Sequence, residues 1–227
     1  MKAMILAAGR GRRMRELTEQ RPKPLIEVAG RALIEHHLVR LERAGARQIV
    51  INVSYLGEQI VNALGDGRRY GVEILWSREE IALETGAGIR RALPHLGEAP
   101  FWLVNADIWC DIDFNALGRT LADDLARLVM VEPPDHKPDG DFHLDDRGRL
   151  HSTGDHRLVY AGAALVAPAL VQALSPDTPM PLKPSLLAAI RQGRLGGYHH
   201  RGIWSDIGTP ERLAALEARL AGRADPD

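Results

Sequence analysis

Cysteine is nearly missing from this chain: Cys110 is the single one in 227 residues. One thiol cannot form an internal disulfide, and such scarcity fits a reducing compartment. Net charge is nearly missing as well, at -1 from 29 basic and 30 acidic residues. That balance excludes a general polyanion binder, so no nucleic acid is expected as a partner. There is no long apolar run either. The stretch from Ala3 to Ala8 is too short for the apolar region of a secretory signal and leads straight into arginines. Neither a membrane partner nor export is expected, and the chain reads as soluble and cytoplasmic. Internal repeats, low-complexity tracts and linkers are also lacking. The proline-rich stretches Pro133 to Gly140 and Ser175 to Pro184 read as loops over one domain, residues 1–222, with 223–227 as a frayed tail.

What is present is ordinary globular composition, 45% apolar and 26% charged, in a chain long enough for a sizeable core. "KAMILAA", "QIVINVS", "GVEILWS" and "FWLVNAD" read as short strands, apolar on both faces. Between them, "RALIEHHLVRLERAG", "LGEQIVNALGDG" and the stretch from Glu84 to Leu93 read as helices closed by glycine or strand. Strands alternating with helices imply a parallel sheet covered on both sides. Beyond residue 125 "ARLVMVEP", "GDFHLDDRGRLH" and "RLVYAGAALV" are strand-like, with short helices at "PALVQAL" and "KPSLLAAIRQG". Asp146-Arg147-Gly148 reads as a hairpin turn, so an antiparallel section extends the sheet. A last helix follows Thr209 as N-cap and Pro210, with Leu213, Leu216 and Leu220 as its stripe.

The densest local signal is "LAAGRGRRMRELTEQRPKPL", residues 6–25. A glycine-rich loop after a strand puts backbone N–H groups at the C-terminal edge of a parallel sheet, where ligands of such folds bind. Gly9 and Gly11 permit the left-handed conformations that turn successive N–H groups toward one anion. The dinucleotide fingerprint is excluded, because Met14 stands where a third glycine is required, and the Gly-Lys-Ser/Thr of a P-loop is absent. Pro22 and Pro24 stiffen the backbone on both sides of Lys23. Two aspartates stand near strand ends, Asp107 in "LVNADIW" and Asp206 in "WSDIGTP". Chemistry alone favours a capping or turn role for each, yet two such carboxylates also suit Mg²⁺, which takes one or two carboxylates plus substrate phosphates.

"LAAGRGRRM" followed by "RPKPL" resembles the signature of the sugar-1-phosphate nucleotidylyltransferases, the pyrophosphorylase family. The resemblance covers the chain from Lys2 to about Leu220 and implies a Rossmann-like three-layer α/β sandwich with a mostly parallel central sheet and a short antiparallel extension. By matching position it implies that Arg13 contacts the triphosphate and that Lys23 holds the reacting phosphates. Asp107 and Asp206 match the family's metal-binding aspartates, so Mg²⁺ is the implied cofactor. The nucleotide, UTP, is expected on Ala8, Gly9, Gly11, Arg12, Arg13, Lys23, Thr85 and Gly86. Arg10, Arg12 and Arg15 lie outside the matched pattern, and their side chains are read as solvated. The sugar 1-phosphate is expected on Asn105, Gly140 and Asp141, and among the basic candidates for a sugar carboxylate, Lys137, Lys183 and Arg201, the last leads because it lies just before Asp206. "LVNADIWCDIDF", "GDFHL" and "HRGIWSDIGTPERLAALE" are most similar to the branch that uridylylates N-acetylmuramate 1-phosphate in cell-wall recycling. A uridylyl- or guanylyltransferase for glucose or mannose 1-phosphate, and a catalytically silent regulatory relative, remain open alternatives. The hexapeptide-repeat extension of larger members is not expected, and the chain is expected to be a monomer or a small homo-oligomer.

Nine histidines invite a zinc site, but His36-His37 and His199-His200 are adjacent pairs without tetrahedral spacing. Cys110 reads as a small packing residue. Trp76, Trp102, Trp109 and Trp204 read as core rather than a stacking platform.

Overall fold

The computed structural model describes residues 1–222, except for the side chains of Arg12, Arg15 and Glu16. The tail at 223–227 and the Arg12 side chain named above therefore lie outside the described residues. Along the chain run β1 (Lys2–Leu6), β2 (Glu27–Val28), β3 (Arg31–Ala32), α1 (Leu33–Arg43), β4 (Gln48–Val53) and α2 (Gly57–Leu64). Next come β5 (Glu73–Arg78), α3 (Glu84–Leu96), β6 (Phe101–Asn105), β7 (Ile108–Cys110), β8 (Ala126–Val131) and β9 (Phe142–Leu144). The chain continues with β10 (Leu150–His151), β11 (Arg157–Val166), α4 (Lys183–Arg191), β12 (Leu195–His199), β13 (Trp204–Asp206) and α5 (Pro210–Ala221).

Strands β5, β4, β1 and β6 lie side by side and parallel. The antiparallel extension begins where β11 pairs with β6, and β11 also pairs with β8 and with the β9–β10 hairpin. Strand β12 then returns parallel to β8. The strands are apolar on both faces because both faces are covered. Ala3, Ile5, Ile49 and Ile51 pack on one side with Ile34, Leu38 and Leu41 of α1 and with Ile60 and Leu64 of α2. Met4 and Val50 point the other way, into a layer with Ile89, Ala92 and Leu93 of α3 and Leu186 of α4. Each fully buried Leu or Ile contributes about 1.5–3 kcal/mol of burial free energy. A third, smaller cluster joins Met14, Val28, Trp109, Ile203, Ile207 and Leu216. It fastens the segment after the glycine loop and α5 onto β7.

Several local expectations are corrected. "PALVQAL" forms only a short 3-10 turn, Pro168–Leu170, rather than a helix. Helix α3 runs past Leu93 to Leu96, because Pro94 falls so close to the end that few amide bonds are lost before Gly97 closes it. Of the two loop glycines only Gly11 is left-handed, at φ 63°. Two ribbons, β2–β3 and β7–β13, were not foreseen, since strands of two or three residues leave no period to read.

Candidate active site

A cavity of about 370 Å³ opens at the C-terminal ends of β1, β4 and β6. Its walls include Ala8, Gly9, Gly11, Lys23, Thr85, Asn105 and Asp107, so seven residues singled out from sequence meet in one place. The two halves of the opening motif dock on each other through Gly11. A Cβ there would lie 3.1 Å from Lys23 Cβ and 3.3 Å from its Cδ, so only glycine lets the loop close against the lysine stem in that backbone conformation. Lys23 opens a 3-10 turn after Pro22, and Pro24 follows at the turn's second position. The turn buries the lysine to 5% exposure, yet its Nζ reaches the half-exposed Asp107 carboxylate at 2.9 Å. A lysine is almost never this buried unless paired.

Asp107 and Asp206 come from distant parts of the sequence and meet on the β7–β13 ribbon. Asp206 pairs with Ile108, and the Ile207 amide donates to the Asp107 carbonyl at 2.9 Å. Each carboxylate faces a cation, Lys23 for Asp107 and the Arg212 guanidinium for Asp206, and the His136 ring also lies 3.3 Å from Asp206. Arg212 reaches it from the first turn of α5, where Thr209 Oγ1 accepts from the Arg212 amide as the N-cap. Beneath the ribbon, His37 Nε2 donates to the Ile108 carbonyl at 2.8 Å. Burial, with the Arg40 charge adding to it, pushes that imidazole down to about 3, so it stays neutral.

Other expected residues fall elsewhere. Arg13 is exposed beyond the glycine loop. Arg10 is exposed, in keeping with its solvated reading, and it borders the cavity with its guanidinium 5.0 Å from the Tyr55 ring centroid. Gly86 does not line the cavity: its Cβ position is 2.9 Å from the carbonyls of Met180 and Pro181, and its amide donates to Met180. Its glycine serves close packing of that loop on α3. Gly140 and Asp141 sit at the start of β9, where Asp141 takes the Tyr160 amide and Lys137 while Gly140 makes room for the Arg157 carbonyl. Arg201 is exposed and lies outside the cavity lining.

The structure adds residues that the sequence did not announce. Arg212 and His136 contact Asp206, and Asn52, Glu79 and Glu84 line the cavity. For Asn52 a signal existed: it is the polar interruption of the otherwise apolar "IVINV". Cys110 is buried as a packing residue, and burial pushes its thiol up to about 12. It lies near Asp111 and His200, with one ligand atom of each within 4.8 Å of the others. Asp111 is already engaged by the His200 ring at 2.8 Å.

A glycine loop, a buried lysine and paired aspartates at the edge of a parallel sheet define a phosphate-handling α/β protein. The chain belongs to the nucleotidyl transferase family, whose model matches residues 2–142. It is 48% identical over 229 residues to the N-acetylmuramate alpha-1-phosphate uridylyltransferase of Neisseria meningitidis serogroup B, covering 98% of this chain and 99% of that one. The enzyme of the same name from Caulobacter vibrioides is 38% identical, over 96% of each chain. A Bacillus anthracis protein solved in complex with sucrose shares the fold, with a TM-score of 0.84 at 18% identity over 100% of this chain and 98% of that one.

Proposed function

We propose that the protein joins a sugar 1-phosphate to UTP, giving a UDP-sugar and pyrophosphate, with N-acetylmuramate α-1-phosphate as the sugar substrate. The observation that carries the reading is the buried Lys23 held against Asp107 beside the glycine loop. The similarity to the two named uridylyltransferases supports the substrate pair. In the reaction an oxygen of the sugar phosphate attacks the α-phosphorus of UTP, a new P–O bond forms, and the bond to the β-phosphate breaks in line to release pyrophosphate. The sugar phosphate is anionic at neutral pH, so no general base is needed, and positioning plus charge stabilisation suffice.

Each residue has a role within this reading. Ala8, Gly9 and Gly11 line the triphosphate, Lys23 draws the two reacting anions together, and Arg13 folds in over the departing pyrophosphate. Thr85 borders the base. Asn105, with Gly140 and Asp141 on the neighbouring loop, borders the sugar. Asp107 and Asp206 supply the hard oxygen donors that suit Mg²⁺, and each carboxylate lies beside a cationic side chain, Lys23 or Arg212. Bound there, Mg²⁺ would neutralise phosphate charge. Residues 1–222 act as one catalytic domain. No described helix is long and apolar enough to cross a membrane, and we place the reaction in the cytoplasm, in peptidoglycan recycling.

The test is pyrophosphate release from a matrix of UTP, CTP, GTP and dTTP against N-acetylmuramate, N-acetylglucosamine, glucose and mannose 1-phosphates. UTP with N-acetylmuramate 1-phosphate should give the highest kcat/KM. A higher value with a sugar lacking the lactyl group rejects the sugar assignment, and no release from any pair rejects the activity. If Arg201 reads the lactyl carboxylate, Arg201→Ala loses selectively on N-acetylmuramate 1-phosphate; equal change on both amino sugars removes it from that role.

A further inference from the structure

Across the C-terminal ends of β1, β4 and β5 runs a relay of side-chain hydrogen bonds that the transfer chemistry does not call on. Asn52 and Glu79 are both buried, at 3% and 6% exposure. Asn52 Oδ1 accepts from the Ala7 amide at 2.8 Å, and Asn52 Nδ2 donates to Glu79 Oε1 at 2.7 Å. The second carboxylate oxygen, Oε2, accepts from the Leu83 amide at 2.9 Å. One end of the relay is therefore the residue that launches the glycine loop. The other end is the loop whose Ala82, Glu84 and Thr85 line the cavity.

Three features indicate that the relay is built for position rather than for bulk stability. A buried carboxylate is costly unless a cation pairs with it, yet both Glu79 oxygens are taken by neutral donors. A Cβ at Gly88 would lie 2.9 Å from Glu79 Oε1 and 3.0 Å from Asn52 Nδ2, so α3 is seated directly on the pair. Glu84, at the mouth of the loop, is left-handed at φ 64°, a conformation that a non-glycine residue keeps only where its surroundings enforce it. The enforcement is visible on both sides. Leu83 is held through its amide by Glu79 and through its carbonyl by the Met180 amide at 3.0 Å, while Thr85 Oγ1 accepts from the Leu182 amide at 3.0 Å.

We propose that Asn52 and Glu79 are positioning residues for the nucleobase: by tying the loop at 79–85 to the start of the phosphate loop, they set base affinity and base selectivity. The pair leaves the reacting phosphates to other residues. The inference rests on the reading that Ala82 to Thr85 face the base of a bound nucleotide. A fully bonded buried network fixes geometry sharply, whereas a partly satisfied one releases it.

The experiment measures kcat and KM for UTP, CTP, GTP and dTTP at saturating sugar 1-phosphate in wild type, Glu79→Gln, Asn52→Ala and the exposed neighbour Glu80→Gln. Glu79→Gln keeps the volume but turns an N–H group toward one of the two donors, so one bond must be lost. In Glu79→Gln and Asn52→Ala, KM for UTP should rise about tenfold or more while kcat stays within about threefold, and the preference for UTP should shrink by about tenfold. The Leu83 amide should exchange hydrogen faster in Glu79→Gln, and Glu80→Gln should match wild type. If Glu79→Gln does not fold, Gly88→Ala applies the same test by crowding the pair without deleting a bond. Unchanged KM and preference in an active variant, or a fall in kcat at unchanged KM, overturns the proposal alone. A wild type that neither binds nor turns over any of the four nucleotides overturns the underlying reading as well.

Discussion

Strand β7 separates two cavities of very different character. On one side lies the cavity of about 370 Å³ with the glycine loop, Lys23 and Asp107. On the other is a cavity of about 1140 Å³, walled by α1, the end of α5 and the segment after β7. The larger one carries charges of both signs: Arg40 and Arg43 against Asp111, Asp113 and Glu217. Several of these are already engaged, Arg40 over the Trp109 ring at 4.6 Å, Asp111 with His200, and Asp113 as acceptor for the Asn115 amide. The smaller one offers backbone N–H groups, a buried lysine and a cluster of carboxylates at the sheet edge. Volume alone favours the larger cavity as a site. Phosphate chemistry favours the smaller, because a triphosphate needs convergent donors and cations more than it needs room.

The comparison can be broken most directly at the aspartates. Asp107→Asn and Asp206→Asn should each lower kcat by about 10² to 10³ or more with the fold retained by circular dichroism, since each removes a full charge from the proposed centre. Chelation by EDTA should do the same to the wild type. Full activity after either treatment would overturn the metal assignment at the two aspartates.

A second test separates Arg10, inside the glycine loop, from Arg13, just beyond it. Arg13→Ala should cost about 10² in kcat, whereas Arg10→Ala should cost no more than about fivefold, because Arg10 is engaged by the Tyr55 face. Equal modest losses would mean a diffuse basic patch rather than a specific contact.

The wall between the cavities can be probed by pH. His37 supports β7 through the Ile108 carbonyl and is held down near 3, against 6.5 when unperturbed. Between those values the unfolded chain binds a proton at His37 that the folded chain does not. Stability should therefore fall as pH drops from about 6.5 toward 3, by up to about 1.4 kcal/mol per pH unit from this group. Denaturant titrations at pH 7, 6, 5 and 4 should show a flatter dependence for His37→Gln, and an unchanged slope would exclude the histidine as its source. The smallest effect is expected on the far side: Arg43→Ala in the larger cavity should change kcat/KM by less than about twofold. A large loss there would show that the second cavity takes part in turnover.

The opening motif was readable because its chemistry is local. Glycine at a left-handed position, prolines around one lysine and an apolar strand before them all act within about twenty residues, so type and spacing carry the information. The parallel core was readable for the same reason, through continuous apolar strands and helices of period 3.6. The final helix follows directly from Thr209, Pro210 and a leucine stripe. What escaped was set by residues far apart in the chain. The β7–β13 ribbon brings Asp206 to Asp107 with three-residue strands that show no periodicity. The glycine of "LETGAG" looked like a base contact, and only the approach of Met180 and Pro181 shows what fills its space.

The sequence by itself determined the layered sheet, the glycine loop and which carboxylates and cations were available, since these depend on hydrophobic period, backbone freedom and residue chemistry. The tertiary structure alone decided which of them meet. It placed Arg212 and His136 on Asp206, left Arg201 in solvent and buried Glu79 between Asn52 and Leu83. Hydrogen bonds and ion pairs act over about 3 Å, and nothing in a linear pattern reports which distant side chains the packed core will bring within that reach.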